Sequence, residues 1–280
     1  MGRKPRIEYY GAIYHIIQRG NNREAIFKRD EDKVCLLKIL SETKEMYDFK
    51  IFAYVVMNNH YHFLIQTLNI PISKIMHQIN TRYAKYYNYS TGNTGPVFED
   101  RYKGILVQDE SYLLALIRYI HNNPVAAKIC PIMEQYKWSS DMFYRMNMDN
   151  MVDIDEFLNI LSPNRVEAIR IYIKLMDKDD LEYQILEEIY EKNDVIGNEK
   201  FRKSLEGTME VLSLDEILKK VCPTPVEYDL IKAGSRKRYL SKYKREYIVW
   251  GREEGYSYSA IGSFIGITSA AARNLVEEGD

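Results

Sequence analysis

The stretch Ile51-Phe52-Ala53-Tyr54-Val55-Val56-Met57-Asn58-Asn59-His60-Tyr61-His62-Phe63-Leu64-Ile65-Gln66 decides the fold of the first half of the chain. Ile51–Met57 and His60–Gln66 are rich in β-branched and aromatic residues and are bounded by turn formers, which is the pattern of strands. Asn58-Asn59 between them predicts a short hairpin connection, because asparagine tolerates the left-handed conformation of tight turns. Side chains alternate along a strand, so His60 and His62 point to one face, about 7 Å apart along the chain, while Tyr61 and Phe63 point to the other.

Working outward, Ala12–Ile17 is a further β-rich run that ends at the loop signal Arg19-Gly20-Asn21-Asn22. Glu31–Tyr47 reads as a helix with Val34, Leu37, Ile39 and Leu40 as its apolar stripe. Pro71–Tyr87 is helical with proline near its start, and Arg101–Val107 reads as a fourth strand. Asp109–Asn122 reads as a helix with acidic residues in its first turn and Pro124 just past its end. This order predicts an α+β fold, an antiparallel sheet with helices on its faces. From about Ile154 onward the pattern is wholly helical, and Pro223 and Pro225 mark a second break. The expected domains are 1–145, an acidic helical linker 146–225, and 226–280.

With 280 residues, 46% of them apolar, the chain is long enough for one large or two small cores. Its net charge of −1 excludes a uniformly basic coat. The sum hides three blocks: residues 1–140 carry +6, residues 141–216 carry −10 and residues 217–280 carry +3. Basic flanks around an acidic middle suggest flanks that meet a polyanion; solvated helix faces give the same sums. No run of 18 apolar residues exists, so no membrane contact is expected. Met1–Arg6 is basic, but Glu8, Arg19 and Arg23 interrupt any signal-peptide core. Cys35, Cys130 and Cys222 are widely spaced, which fits reduced thiols and a cytoplasmic location.

Two residue groups carry chemistry. Two neutral imidazoles on one strand face, His60 and His62, can share a divalent ion and leave its other positions open to a phosphate oxygen. An isolated pair can equally be two histidines that hydrogen-bond on a half-buried sheet. In Arg118-Tyr119-Ile120-His121-Asn122-Asn123-Pro124, Tyr119 and Asn123 are four apart and share a helix face. A tyrosine hydroxyl can attack phosphorus, and the Asn123 oxygen can serve as a neutral ligand; an Asn-Pro helix stop and a structural tyrosine are the plainer alternatives. Arg101 and Lys103 are candidate phosphate holders. Tyr83, Tyr86, Tyr87 and Tyr89, with Arg82 and Lys85, offer stacking faces, although helical spacing favours the core for Tyr83 and Tyr87.

Taken in order, these segments resemble the single-tyrosine HUH transposases (His, bulky apolar residue, His), and most closely the branch associated with repetitive extragenic palindromes. The matching pieces are Gly11-Ala12-Ile13-Tyr14-His15, Arg19-Gly20-Asn21-Asn22-Arg23, Met57-Asn58-Asn59-His60-Tyr61-His62, Phe98 with Arg101-Tyr102-Lys103, Tyr119-Ile120-His121-Asn122-Asn123-Pro124-Val125, and Trp138-Ser139-Ser140. The resemblance covers residues 1 to about 145 and implies a ferredoxin-like HUH domain. It implies Mg2+ or Mn2+ on His60, His62 and Asn123, Tyr119 as nucleophile, and a 5′-phosphotyrosine intermediate. It also implies a single-stranded, hairpin-flanked DNA substrate met by Arg19, Asn22, Arg23, Arg101, Lys103 and Arg118, and a monomer or homodimer. The chain departs from the family pattern at Gly95-Pro96, at Glu99-Asp100 where Gln-Gly is usual, at Ala126, and at the polar Tyr61.

Near the other end, Ser259–Arg273 resembles a helix-turn-helix of the replication-initiator kind, with Gly266 at the turn and Ser269 opening the second helix. Arg273 and Asn274 are candidate base contacts, and Arg236, Lys237 and Arg238 are candidate phosphate contacts for duplex DNA. The readings that remain are a DNA strand transferase, a non-catalytic DNA-binding regulator, and an HUH nicking endonuclease.

Overall fold

The computed structural model describes residues 7–9, 11–148, 150–178, 183–205, 212–254 and 256–277; the basic start Met1–Arg6 lies outside them. The described residues fall into two compact units: Met1–Val107 with Leu113–Ile196, and Gln108–Tyr112 with Gly197–Asp280. The expected borders at 145 and 225 therefore fall inside units. No helix among the described residues is long and apolar enough to cross a membrane.

The first unit holds one sheet in the order β2-β3-β1-β4-β5, built from β1 (Ile13–Arg19), β2 (Lys50–Val56), β3 (His60–Gln66), β4 (Lys103–Val107) and β5 (Val195–Ile196). The first four strands pair antiparallel, whereas β5 runs parallel to β4. The sheet is thus mixed at one edge, which corrects both the purely antiparallel sheet and the wholly helical reading beyond Ile154. Two residues are too few to show a period of two, so β5 left no trace in the pattern.

Helices α1 (Asp30–Tyr47) and α2 (Ile72–Thr91) pack together. They lie on the Tyr61 face of the sheet, where the Tyr61 hydroxyl donates to Asn80 of α2 at 2.6 Å. The buried side of α1 is Asp32, Lys33, Leu36, Ile39, Leu40 and Thr43, and Val34 is 54% exposed. The expected stripe is rotated because two charged residues are buried with partners. Lys33 donates to the Phe27 carbonyl and to Asn58 Oδ1, and Asp32 pairs with Arg29 at 2.6 Å. Asn58 and Asn59 join β2 to β3 without positive φ, whereas Asn22 and Arg23, after β1, are left-handed at φ 50° and 59°.

Helix α3 (Leu113–Ala126) packs on β2 and β3. Pro124 lies inside its last turn rather than past its end. There it removes a single donor, the one owed to the Ile120 carbonyl. The turn still closes because Ala127 donates to the Asn123 carbonyl and Ile129 to that of Pro124, both at 2.9 Å.

Part of the acidic segment belongs to this unit: α4 (Asp141–Met146), α5 (Ile154–Leu161), α6 (Arg165–Met176) and α7 (Tyr183–Lys192). A buried polar network ties it down. His121 of α3 meets Ser140 Oγ at 2.7 Å and Tyr172 Oη at 2.9 Å, and Tyr172 donates to Asp141 at 2.7 Å. Ser140 also accepts the Tyr54 N–H of β2, and Asp153 accepts the Ile51 N–H and the Lys44 ammonium. Burial pushes His121 down to about 4, so at neutral pH it is an uncharged link in this chain.

The second unit is helical: α8 (Glu199–Leu205), α9 (Leu214–Val221), α10 (Pro225–Lys232), α11 (Ser241–Glu253), α12 (Tyr258–Phe264) and α13 (Ser269–Glu277). Its core gathers Ile217, Leu218, Ile231, Leu240, Tyr247, Ile248, Ile261, Ile265 and Ala272. Ser213 and Ser257 cap α9 and α12. The α12–α13 corner turns at Gly266, φ 69°. Gly262 has no space for a side chain, since a Cβ there would lie 2.7 Å from the Ile267 carbonyl oxygen.

Two stability outcomes follow. Tyr172→Phe leaves Asp141 and His121 short of a buried partner and lowers stability by about 1–3 kcal/mol, read from urea unfolding of the full chain. Gly262→Ala costs about 1–3 kcal/mol through overpacking, read as an earlier loss of helical circular dichroism on heating.

Candidate active site

Strand register assembles the site. In antiparallel pairs, residues opposite one another share a face. Ile17 lies opposite His62 and Lys103, and Arg19 lies opposite His60. His15, Ile17 and Arg19 of β1, His60 and His62 of β3 and Lys103 of β4 therefore share one face. The same pairing leaves Tyr61 and Phe63 stacked on the opposite face at 4.1 Å. The two imidazoles expected to be neighbours are so, with ring centroids 5.1 Å apart.

His15 is the third member of the group. Its ring stacks on His62 at 5.1 Å, and its Nε2 lies 2.9 Å from His62 Nδ1. When His62 Nδ1 carries the proton of that bond, Nε2 is left as a lone pair. That Nε2 is buried and has no hydrogen-bond partner. His60 Nδ1 is held by Asn59 Oδ1 at 2.7 Å, and the Asn123 side chain hydrogen-bonds the same imidazole. Burial drives His15 down to about 3 and His60 to about 4, and pushes His62 well below its ordinary value. Neighbouring Arg19 and the other imidazoles push the same way for His62. All three are neutral at neutral pH, the form that ligates metals.

Tyr119 reaches this face from α3. Its ring stands edge-on to both His15 and His62 at 6.0 Å and is 1% exposed. Asn123, one turn on, donates Nδ2 to the Tyr119 carbonyl at 3.0 Å. Sequence reading missed what stands beyond the hydroxyl. Glu191 Oε1, near the end of α7, accepts the Tyr119 Oη–H at 2.8 Å and lies 3.8 Å from His62 Nε2. Tyr190, its neighbour, packs edge-on to Tyr119 at 5.3 Å. No local pattern marks either residue; they lie in the segment expected to be an acidic helical linker.

The buried, unpartnered His62 Nε2 beside His60 and the Asn123 amide fits a divalent cation. Among the described residues no three His, Cys, Asp or Glu side chains converge as a ligand group; two imidazoles and an amide would form an open set that leaves positions for a substrate oxygen.

The candidate DNA contacts separate into groups. Arg19, Arg101 and Lys103 line a cavity of about 210 Å³ with Glu99, Asp100 and Glu191. Arg19 Nη2 lies 3.9 Å from Glu191 Oε2, while the Lys103 ammonium donates to the Glu191 carbonyl. Arg118 donates to the Lys178 carbonyl. Asn22 and Arg23 are exposed in the left-handed turn after β1. Of the stacking candidates, Tyr83 is buried, Tyr86 and Tyr87 are half-buried, and Tyr89 is 93% exposed. In the second unit Arg236, Lys237 and Arg238 are exposed, Ser269 opens α13, Asn274 is exposed, and Arg273 stacks on Tyr258 at 5.3 Å.

Residues 8–123 match the family model of IS200-like transposases. No curated protein matches the chain. Among solved structures, a REP-associated tyrosine transposase bound to a REP hairpin is 16% identical, with a TM-score of 0.45 over 55% of this chain and 93% of the other. A Deinococcus radiodurans protein described as a transposase is 20% identical, with a TM-score of 0.31 over 43% of this chain and 97% of the other. His15, His60, His62, Tyr119 and Asn123 all lie inside residues 8–123, the segment of this chain that is similar to the IS200-like transposases.

Proposed function

We propose that this protein is a transposase that cuts and rejoins single-stranded DNA through a 5′-phosphotyrosine on Tyr119, with Mg2+ or Mn2+ held by His60, His62 and Asn123. The observation that carries the reading is the Tyr119 ring set edge-on at 6.0 Å to His62, a neutral imidazole that lies beside His60 and presents an unpartnered buried nitrogen. The cation supplies Lewis-acid polarisation of the scissile phosphate. The chain's own residues do the rest. Tyr119 attacks phosphorus, and the ester it forms conserves the bond energy, so the 3′-hydroxyl can rejoin the strand without a nucleotide cofactor. His15 fixes the tautomer and tilt of His62. Arg19 and Arg101, at the cavity mouth, meet the phosphodiester backbone, with Asn22 and Arg23 beside them.

Tyr119 lies against the imidazoles of its own chain, which supports action in cis, whether the protein is a monomer or a homodimer. A hairpin-flanked substrate rests on the sequence resemblance. For the second unit we assign duplex DNA contact, through exposed Arg236, Lys237 and Arg238 and through the α13 end at Ser269 and Asn274.

The test is covalent capture on denaturing gels, with labelled hairpin-flanked oligonucleotides taken from beside the gene. An adduct forms with Mn2+, disappears with chelator and is absent in Tyr119→Phe. An adduct that persists in Tyr119→Phe moves the nucleophile elsewhere, and duplex binding without any adduct favours a non-catalytic regulator. His15→Phe keeps the ring and loses the nitrogen. It lowers Mn2+ affinity by about 10–100-fold in isothermal titration.

A further inference from the structure

We propose that Glu191, outside the segment shared with the family, is a catalytic residue that takes the phenolic proton of Tyr119. This deepens the phosphotyrosine reading and rests on it. A base must lie within about 2.6–3.2 Å of the atom it deprotonates, and Glu191 Oε1 is 2.8 Å from Tyr119 Oη.

The carboxylate is held in place from several sides. Arg19 of β1 faces its second oxygen at 3.9 Å, and Lys103 of β4 fixes its backbone carbonyl. Tyr190 on the same helix walls the phenol ring. Glu191 also lines the cavity it shares with Arg19, Arg101 and Lys103, and its side chain is 22% exposed. A carboxylate at the mouth of a site for a polyanion repels the substrate. Two cations that would otherwise face that substrate are engaged with this one residue. Such a local conflict is expected where a side chain serves the chemistry.

The step balances as follows. As Tyr119 Oη bonds to phosphorus, its proton passes to Glu191 Oε1. The P–O3′ bond breaks, its electron pair leaves on the 3′-oxygen, and that oxygen takes a proton from solvent to become the free hydroxyl. In rejoining, the 3′-hydroxyl loses its proton to solvent and attacks phosphorus, the P–Oη bond breaks, and the departing phenolate recovers its proton from Glu191.

The experiment is single-turnover cleavage at saturating oligonucleotide and Mn2+, with oligonucleotide affinity measured separately by fluorescence anisotropy. Glu191→Gln keeps the shape and the hydrogen-bond acceptor but cannot take the proton. It slows cleavage by about 100-fold or more while affinity is unchanged or rises, since a repelling charge has been removed. Glu191→Ala is equally slow, and added formate restores part of its rate, which a merely structural role would not allow. A Glu191→Gln protein that cleaves within threefold of the wild type overturns the proposal. A faster, tighter-binding Glu191→Gln also overturns it, because the carboxylate would then be occupying the phosphate's place. If the wild-type protein forms no adduct on any oligonucleotide, it is the phosphotyrosine reading itself that fails.

Discussion

The antiparallel register of β1 against β3 is the constraint on which the site depends. With Ile17 opposite His62 and Arg19 opposite His60, one face receives every imidazole of the site and the other receives Tyr61 and Phe63. A slip of one residue would exchange the two sets. The histidines would face α1 and α2, and the aromatic pair would face Tyr119. Burial opposes that slip: Tyr61 and Phe63 are fully buried, and the Tyr61 hydroxyl is already satisfied by Asn80. The apolar side of the sheet thus holds the polar side in place.

Three neutral histidines on a buried sheet face need partners, since an unpaired polar group removed from water costs free energy. His15 and His62 share one hydrogen bond, His60 is satisfied by Asn59 and Asn123, and the outer nitrogens of His15 and His62 are left over. Burial holds all three well below their usual values, so the face resists protonation and keeps its lone pairs. The same burial that makes the site costly keeps its imidazoles in the neutral form, the form that ligates metals.

The parts of this arrangement that were legible in the sequence are the local ones. Alternation along His60-Tyr61-His62 placed two imidazoles together, and helical spacing placed Tyr119 one turn from Asn123. His15 appeared only as part of a matching segment, because a histidine among Ile13, Tyr14, Ile16 and Ile17 carries no local sign that its ring meets His62. The rotated face of α1 was hidden for a related reason. Asp32 and Lys33 are charged, and only tertiary partners such as Arg29 and Asn58 allow them inside. Glu191 and Tyr190 were beyond reach altogether, since no periodicity connects residue 119 with residue 191. In the second unit the turn at Gly266 was legible because glycine there relieves a positive φ; the stacking of Arg273 on Tyr258 was not.

The docking of α7 onto Tyr119 bears on how the protein can be dissected or shuffled. Residues 8–123 contain the whole segment that is similar to the IS200-like transposases, so a piece ending at 145 looks portable. Its Tyr119, however, is walled by Tyr190 and bonded to Glu191, residues that a recombination joint or an expression boundary at 145 would leave behind. A graft of that kind would inherit the motif intact and the phenol uncovered. For this chain the unit of inheritance is therefore longer than the signature by which it is recognised, and extends at least to the end of α7.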